Sequence, residues 1–311
     1  MTRLMQLKTF LALMFILAGN GYALDPGAKS DEARLLEITA KAMSGSSTIN
    51  AAKLHELVES KDQKHLIISL QPLEEYRQGH VPGAVHLPID LTDFSKSLKQ
   101  IPKDKTIILL SSNGQEACKT GLILRQLGYD AKYAMLGMNA YNRLYAGSGA
   151  YMGDIDGEVG REPTDLPAAS PEMNYSAMAD EELVLRNTEV YARQRRPFYI
   201  TAYDLLEFSD AVLISMQMPQ DYAQGHIPGT INIPGPDFLA GDQRLLQLPK
   251  DKKIIVTCYI GHYSSMGAML LNQMGYEAYS LAWGLSGWNI EAMNSDINVP
   301  LTKGFGFEVA K

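Results

Sequence analysis

Apolar residues in this chain gather in short continuous runs that do not alternate with polar ones. In the first half the runs are 66–70, 84–87, 106–110 and 131–135; in the second they are 211–215, 230–233, 253–257 and 278–281. Between them lie segments with apolar positions at helical spacing. One is 30–43, with Leu35, Leu36, Ile38 and Ala42 on one face, and its mirror is 179–193. A strand apolar on both sides must be covered on both sides. Such strands alternating with helices predict an α/β fold, each unit a small parallel sheet with helices on both faces. Asn50 and Thr201, each before a helical pattern, have side chains suited to cap a helix N-terminus.

The two halves are one pattern written twice. Ile68-Ser69-Leu70-Gln71, then Tyr76 with Gly79-His80-Val81-Pro82-Gly83-Ala84, then Ile107 to Gly114 form the first copy. Ile214-Ser215-Met216-Gln217, then Tyr222 with Gly225-His226-Ile227-Pro228-Gly229, then Ile254 to Gly261 form the second. The offset is 146 residues at Gly79 and Gly225 and 147 at Ser111 and Cys258, so register is kept to within one residue. Residues 151–178 between the copies are rich in Gly, Pro, Asp, Ser and Ala without apolar periodicity, and read as a linker packed over the surface. The division expected is an export signal at 1–23, a first unit at 24–150, a linker at 151–179 and a second unit at 180–311.

The signal reading rests on Arg3 and Lys8 ahead of the apolar run 10–19, with small residues at Gly21 and Ala23. The run is too short to span a bilayer comfortably, so no stable membrane insertion is expected after its removal. The net charge of −7 deepens to −9 without Arg3 and Lys8, and an acidic surface with no basic run is a poor partner for nucleic acid. The two cysteines, Cys118 and Cys258, fall in different copies, and nothing in the pattern brings them together as a disulfide. No soft-ligand spacing recurs among the many methionines, which read as core filler rather than metal ligands, and neither a metal nor an organic cofactor is implied.

Chemistry concentrates at Cys258. It follows a strand and precedes a helical pattern, where loop amides and a helix N-terminus point at one spot. Gly261 allows the loop to curl so that successive N–H groups face the sulfur, an arrangement that favours a thiolate nucleophile. At the same place the first copy has Ser111, whose hydroxyl stays protonated. His262 could tune the thiolate or move a proton, and Tyr259 and Tyr263 could line an entrance. His80 and His226, flanked by Gly and Pro, read as turn-forming residues, and Trp288 and Tyr141 as hydrophobes that close each unit.

Both copies resemble rhodanese domains. The residues that carry the likeness are the two Gly-His-(Val/Ile)-Pro-Gly elements with Tyr76 and Tyr222, the loop Cys258-Tyr259-Ile260-Gly261-His262-Tyr263-Ser264 and the closing Gly284-Leu285-Ser286-Gly287-Trp288. The resemblance implies a sulfurtransferase. Cys258 would take a sulfane sulfur from thiosulfate, 3-mercaptopyruvate or a persulfide and pass it to a thiol or cyanide, with the loop from Tyr259 to Ser264 binding the substrate and the first unit inactive. Related phosphatases place an arginine six residues after the cysteine. Here that residue is Ser264, so phosphoryl transfer lacks its cation. Many relatives also carry Asp-x-Arg where this chain has Ser69 and Gln71, or Ser215 and Gln217, and a loop Arg or Lys that holds thiosulfate. A persulfide or another chalcogen species is therefore a candidate donor. Two alternatives stand beside this: a non-catalytic sulfur or selenium carrier that docks to an exported protein partner, and a thiol redox enzyme, disfavoured by the lack of a resolving cysteine. The compartment expected is the periplasm.

Overall fold

The computed structural model describes residues 28–150, 155–167, 169–292 and 305–311. The expected export signal lies outside them, and among the described residues no helix is long and apolar enough to cross a membrane. Two five-stranded sheets, all parallel, form the two units. The first joins β1 (Thr48–Ile49), β2 (His65–Ser69), β3 (Val85–His86), β4 (Thr106–Leu110) and β5 (Ala131–Ala134) in the order β1-β5-β4-β2-β3. The second repeats that order with β6 (Tyr199–Ile200), β7 (Val212–Ser215), β8 (Thr230–Asn232), β9 (Lys253–Thr257) and β10 (Glu277–Leu281) as β6-β10-β9-β7-β8. The central strands β4 and β9 are apolar on both faces because helices cover both; Ile107, Ile108, Leu109 and Leu110 are all fully buried.

The eight runs read from sequence coincide with eight of these strands to within a residue or two at each end. The edge strands β1 and β6 are additional. Each has two residues and enters its sheet through neighbours on β5 and β10, so it carries no periodicity of its own. Asn50 and Thr201 cap the helices that follow these edges, accepting from the amides of Lys53 and Asp204 at 2.8 and 3.1 Å.

Four long helices build the contact between the units: α1 (Asp31–Ala42), α2 (Gln115–Gln126), α3 (Asp180–Arg193) and α4 (His262–Gln273). The helices that follow the two central strands, α2 and α4, pack on each other about an approximate two-fold axis. Gln126 and Gln273, 147 residues apart, mark it: each amide donates to the other's carbonyl at 2.9 Å, and each is backed by a threonine, Thr39 or Thr188. This pairing makes one apolar core continuous through both units, including Leu35, Ile123, Leu183 and Met266. The outer faces are closed by crossed extensions. Residue 160, beyond the first unit, pairs with His226 of the second, and Ala310 at the end of the chain pairs with His80 of the first. Phe307 in that returning segment stacks on His55 with ring centroids 4.2 Å apart. Each extension thus covers the unit it does not follow.

Candidate functional site

The Cys258 loop leaves β9 at Cys258 and enters α4 at His262, with Gly261 at φ +86 as the N-cap. The Ser111 loop leaves β4 at Ser111 and enters α2 at Gln115, with Gly114 at φ +88. The backbones match, and the first copy shows what the loop does to the atom at its centre. Ser111 Oγ accepts from the amides of Gly114 at 3.0 Å and Ala117 at 3.3 Å. Gly261 and Ser264 are the equivalents of those two donors around the Cys258 sulfur. Amides at those two positions, oriented as they are around Ser111 Oγ, would favour negative charge on a sulfur at this centre.

Cys258 is 2 % exposed and Cys118 is fully buried; both are free. Burial raises the Cys118 thiol well above its ordinary range. That thiol lies within α2, where it packs as a small core residue.

The loop residues expected to form the site part company in the structure. Ser264 brings its hydroxyl to 3.7 Å from the Cys258 sulfur, and Ile260 is buried in the core on the far side of the sheet. The Tyr259 hydroxyl donates to the Asp221 carboxylate and accepts from the Met218 amide at 2.9 Å. Burial, then the contact with Asp221, holds that phenol protonated. Tyr259 faces a groove of about 610 Å3 that also carries Arg161, from the segment between the units. Tyr263 lies against Gly235, where a Cβ would come within 2.7 Å of its ring, and is 38 % exposed.

His262 turns toward the other unit. Its Nε2 donates to the Asn113 carbonyl at 3.0 Å, which fixes the tautomer, and its buried Nδ1 has no partner. Burial lowers its pKa to about 4, the carbonyl contact opposing this. The imidazole is thus neutral near pH 7 and serves as a clamp between the Cys258 and Ser111 loops. The unfolded chain takes up this proton near pH 6.5 and the folded chain only near 4. Stability is therefore whole above about 6.5 and is lost as pH falls through that window, by about 3 kcal/mol in all. Urea unfolding at pH 7, 5.5 and 4 checks this: His262→Gln, which keeps a donor for Asn113, is expected to flatten that part of the acid limb.

Sequence reasoning missed Ser265 and Ser280. Ser280, on β10, stands 3.0 Å from Ser264 Oγ and 3.4 Å from Ser265 Oγ, so three buried hydroxyls lie behind the sulfur. The equivalent positions in the first copy are Ala117, Cys118 and Tyr133. A position-by-position comparison of the copies carries this signal; only the fold shows that the three positions meet.

The positions at which the resemblance would place Asp-x-Arg are filled by a neutral relay. Ser215 donates to Gln217 Oε1 at 2.8 Å, and Gln217 Nε2 donates to the Gly225 carbonyl at 3.0 Å. Ser69 and Gln71 repeat it. His80 and His226 are turn-forming: each ring Nδ1 meets the carbonyl four residues earlier, at 2.8 and 2.7 Å, with the ring stacked on Tyr76 or Tyr222.

The model of the "Rhodanese-like domain" family matches residues 50–144 and again 201–291. A curated protein of Mycobacterium bovis named "Putative thiosulfate sulfurtransferase 2" is 26 % identical over 249 residues, which span 67 % of this chain and 71 % of that protein. Among solved structures, a thiosulfate sulfurtransferase from Pseudomonas aeruginosa is 14 % identical, over 83 % of this chain and 47 % of its own, with a TM-score of 0.30. A rhodanese-related protein from Thermoplasma volcanium is 28 % identical over 31 % of this chain and 94 % of its own, with a TM-score of 0.28.

Proposed function

The chain belongs to the rhodanese-like domain family, and on that premise we propose that it is an exported, periplasmic sulfurtransferase whose reaction centre is Cys258. One observation carries this reading. Two loops of the same backbone shape hold different central atoms: Ser111 in the first is closed off by its own amides, whereas the Cys258 sulfur in the second meets the hydroxyl of Ser264, which is backed by Ser280. The thiolate attacks the sulfane sulfur of a donor; the new S–S bond forms as the old one breaks, and the donor remnant, sulfite in the case of thiosulfate, leaves with the electron pair. A thiol or cyanide then attacks the outer sulfur, and Cys258 departs as thiolate. The loop amides and Ser264 stabilise negative charge on the transferred sulfur in both steps. The relative of Mycobacterium bovis bears a thiosulfate sulfurtransferase name, which supports the reaction class, while the neutral loop leaves thiosulfate and persulfide donors both open.

The test is intact mass of the purified protein after exposure to thiosulfate, 3-mercaptopyruvate or a persulfide, then to cyanide. A gain of one sulfur, mapped to the peptide of Cys258 and removed by cyanide, is the expected result; no gain from any donor overturns the proposal. Loading without release to any small acceptor would instead favour a carrier that hands its sulfur to a protein partner. The hydroxyl cluster makes a separate prediction. Ser264→Ala deletes one hydrogen bond to a charged sulfur and should slow transfer about tenfold with little change in donor KM. Ala117 at the equivalent position of the first unit shows that the backbone accepts alanine there.

A further inference from the structure

Cys258 is 2 % exposed, so a donor reaches its sulfur only after part of the surrounding wall moves. The strand before it, β9, lies between β10 and β7, and the Cys258 loop is held from both sides. On the β10 side the hold is backbone on backbone: the Leu285 and Ser286 amides donate to the Cys258 and Tyr259 carbonyls at 2.7 and 2.9 Å. On the β7 side, among the described residues, the loop's hydrogen bonds come from one side chain. The Tyr259 hydroxyl donates to the Asp221 carboxylate and accepts from the Met218 amide at 2.9 Å; Met218 caps the helix Pro219–Gln224 that follows β7, and Asp221 lies in its first turn. Tyr259 thus bridges the carboxyl ends of two neighbouring strands, the crevice in which an open parallel sheet receives its ligands.

The two sides differ in what can move. The turn at Gly284 packs so closely on the Cys258 carbonyl that not even a Cβ fits between them, and it has no side chain to swing aside. Tyr259 is half-buried and faces the open groove beside Asp221, where water can replace both of its hydrogen bonds once the side chain rotates. Its proton is directed at Asp221 and a lone pair at the Met218 amide. The phenol therefore acts on the sulfur through the loop and not by proton transfer.

The first unit carries the same fastening built from different residues. Ser112 stands at the position of Tyr259, Glu75 at that of Asp221 and Pro72 at that of Met218. Ser112 Oγ donates to the Glu75 carboxylate at 2.7 Å. Three residue types differ together, and each difference answers another. The short hydroxyl is met by the longer acid and the long one by the shorter acid. The amide from which the phenol accepts has no counterpart at Pro72, which lacks an N–H. A hydroxyl-to-carboxylate contact kept through these exchanges marks the contact itself, and not the aromatic ring, as what the loop requires.

We propose that Tyr259 and Asp221 are positioning residues that latch the Cys258 loop shut over its sulfur, and that a donor gains the sulfur as this latch is released. The proposal rests on Cys258 as the reaction centre, so its test includes a readout that needs no sulfur transfer. The full chain is pulsed with iodoacetamide and its two thiols are scored separately by peptide mass. Cys118, fully buried in α2, reports global opening, and Cys258 reports its loop. Tyr259→Phe keeps the ring and loses both hydrogen bonds. It is expected to speed alkylation of Cys258 about tenfold, to leave Cys118 unchanged and to slow transfer to cyanide about tenfold. The two rates move in opposite directions because alkylation needs only an accessible thiol, whereas transfer needs a loop held in place. Tyr259→Ser should show the same pattern. Combining it with Asp221→Glu, which installs the first unit's fastening, should return both rates to within about threefold of wild type. Loss of packing cannot produce that recovery, since the pair lacks the same ring. Unchanged alkylation of Cys258 in Tyr259→Phe, equal acceleration at Cys118, or no recovery in the pair would overturn the latch. If the alkylation pattern holds and wild type takes up no sulfur from any donor, the sulfurtransferase reading fails while the latch stands.

Discussion

Cys258→Ser is expected to abolish sulfur loading and to lower transfer to cyanide by at least about a thousandfold, the scale seen when a nucleophile is removed from a preorganised site. The variant should fold. The first unit is already the natural example of this loop with serine at its centre, and there the hydroxyl is satisfied by amides at 3.0 and 3.3 Å. A buried serine in the second unit finds the same kind of partners in the amides of Gly261 and Ser264, so no orphaned hydroxyl is created. Loss of transfer with unchanged unfolding in urea would therefore report on the sulfur alone. Transfer above about a hundredth of the wild-type rate would assign the reaction elsewhere in the chain. The remaining thiol, Cys118, is fully buried in α2, with its proton held by burial, which makes it a poor substitute.

Gly284→Ala should be the most damaging single methyl group in the second unit. Gly284 has φ +53, and a Cβ there would lie 2.3 Å from the Cys258 carbonyl oxygen and 3.0 Å from the Gly261 nitrogen. These are backbone atoms of the Cys258 loop and cannot swing aside. Two further bonds tie the same turn to the loop: the Leu285 amide donates to the Cys258 carbonyl at 2.7 Å and the Ser286 amide to the Tyr259 carbonyl at 2.9 Å. The left-handed backbone alone costs an alanine about 1–2 kcal/mol, and the clash raises the expected loss of stability to about 3 kcal/mol. Displacing the loop by about 1 Å should cut transfer about a hundredfold. Gly137→Ala is the matched comparison, since its Cβ would come within 1.9 Å of the Ser111 carbonyl oxygen in the loop of the first unit. It should cost comparable stability in urea and keep a larger share of transfer. Equal losses of transfer in the two variants would show that Gly284 acts through global stability and not through the loop it supports.

Much of this molecule is legible in its sequence, because the features concerned are local or repeated. Runs such as 106–110 and 253–257 announce strands covered on both faces, since no other environment accepts four successive buried side chains in a strand. The duplication is visible because turn-forming glycines and prolines sit at fixed offsets, and Cys258 stands out because its counterpart is Ser111. Asn50 and Thr201 are read as caps from their own chemistry and act as caps. The two-residue strands β1 and β6 were not legible: a strand that short is defined by its partner on β5 or β10, not by a pattern of its own.

Tertiary structure decided what the loop residues do. His262 follows Cys258 by four residues, yet its ring reaches the carbonyl of Asn113, 149 residues earlier, because the two loops meet at the two-fold axis. Tyr259 is the immediate neighbour of the cysteine and turns instead to Asp221. Ser280 comes from another strand and joins Ser264 behind the sulfur only because β9 and β10 are adjacent in the sheet. The crossed extensions at residue 160 and Ala310, and the unpartnered amide of Gln115, exist only where one unit is laid against the other. Sequence determined the fold of each unit and the identity of its central residue, since these depend on periodicity and residue type. The partners of that residue depend on which surfaces are brought within hydrogen-bond distance, and only the folded chain sets those distances.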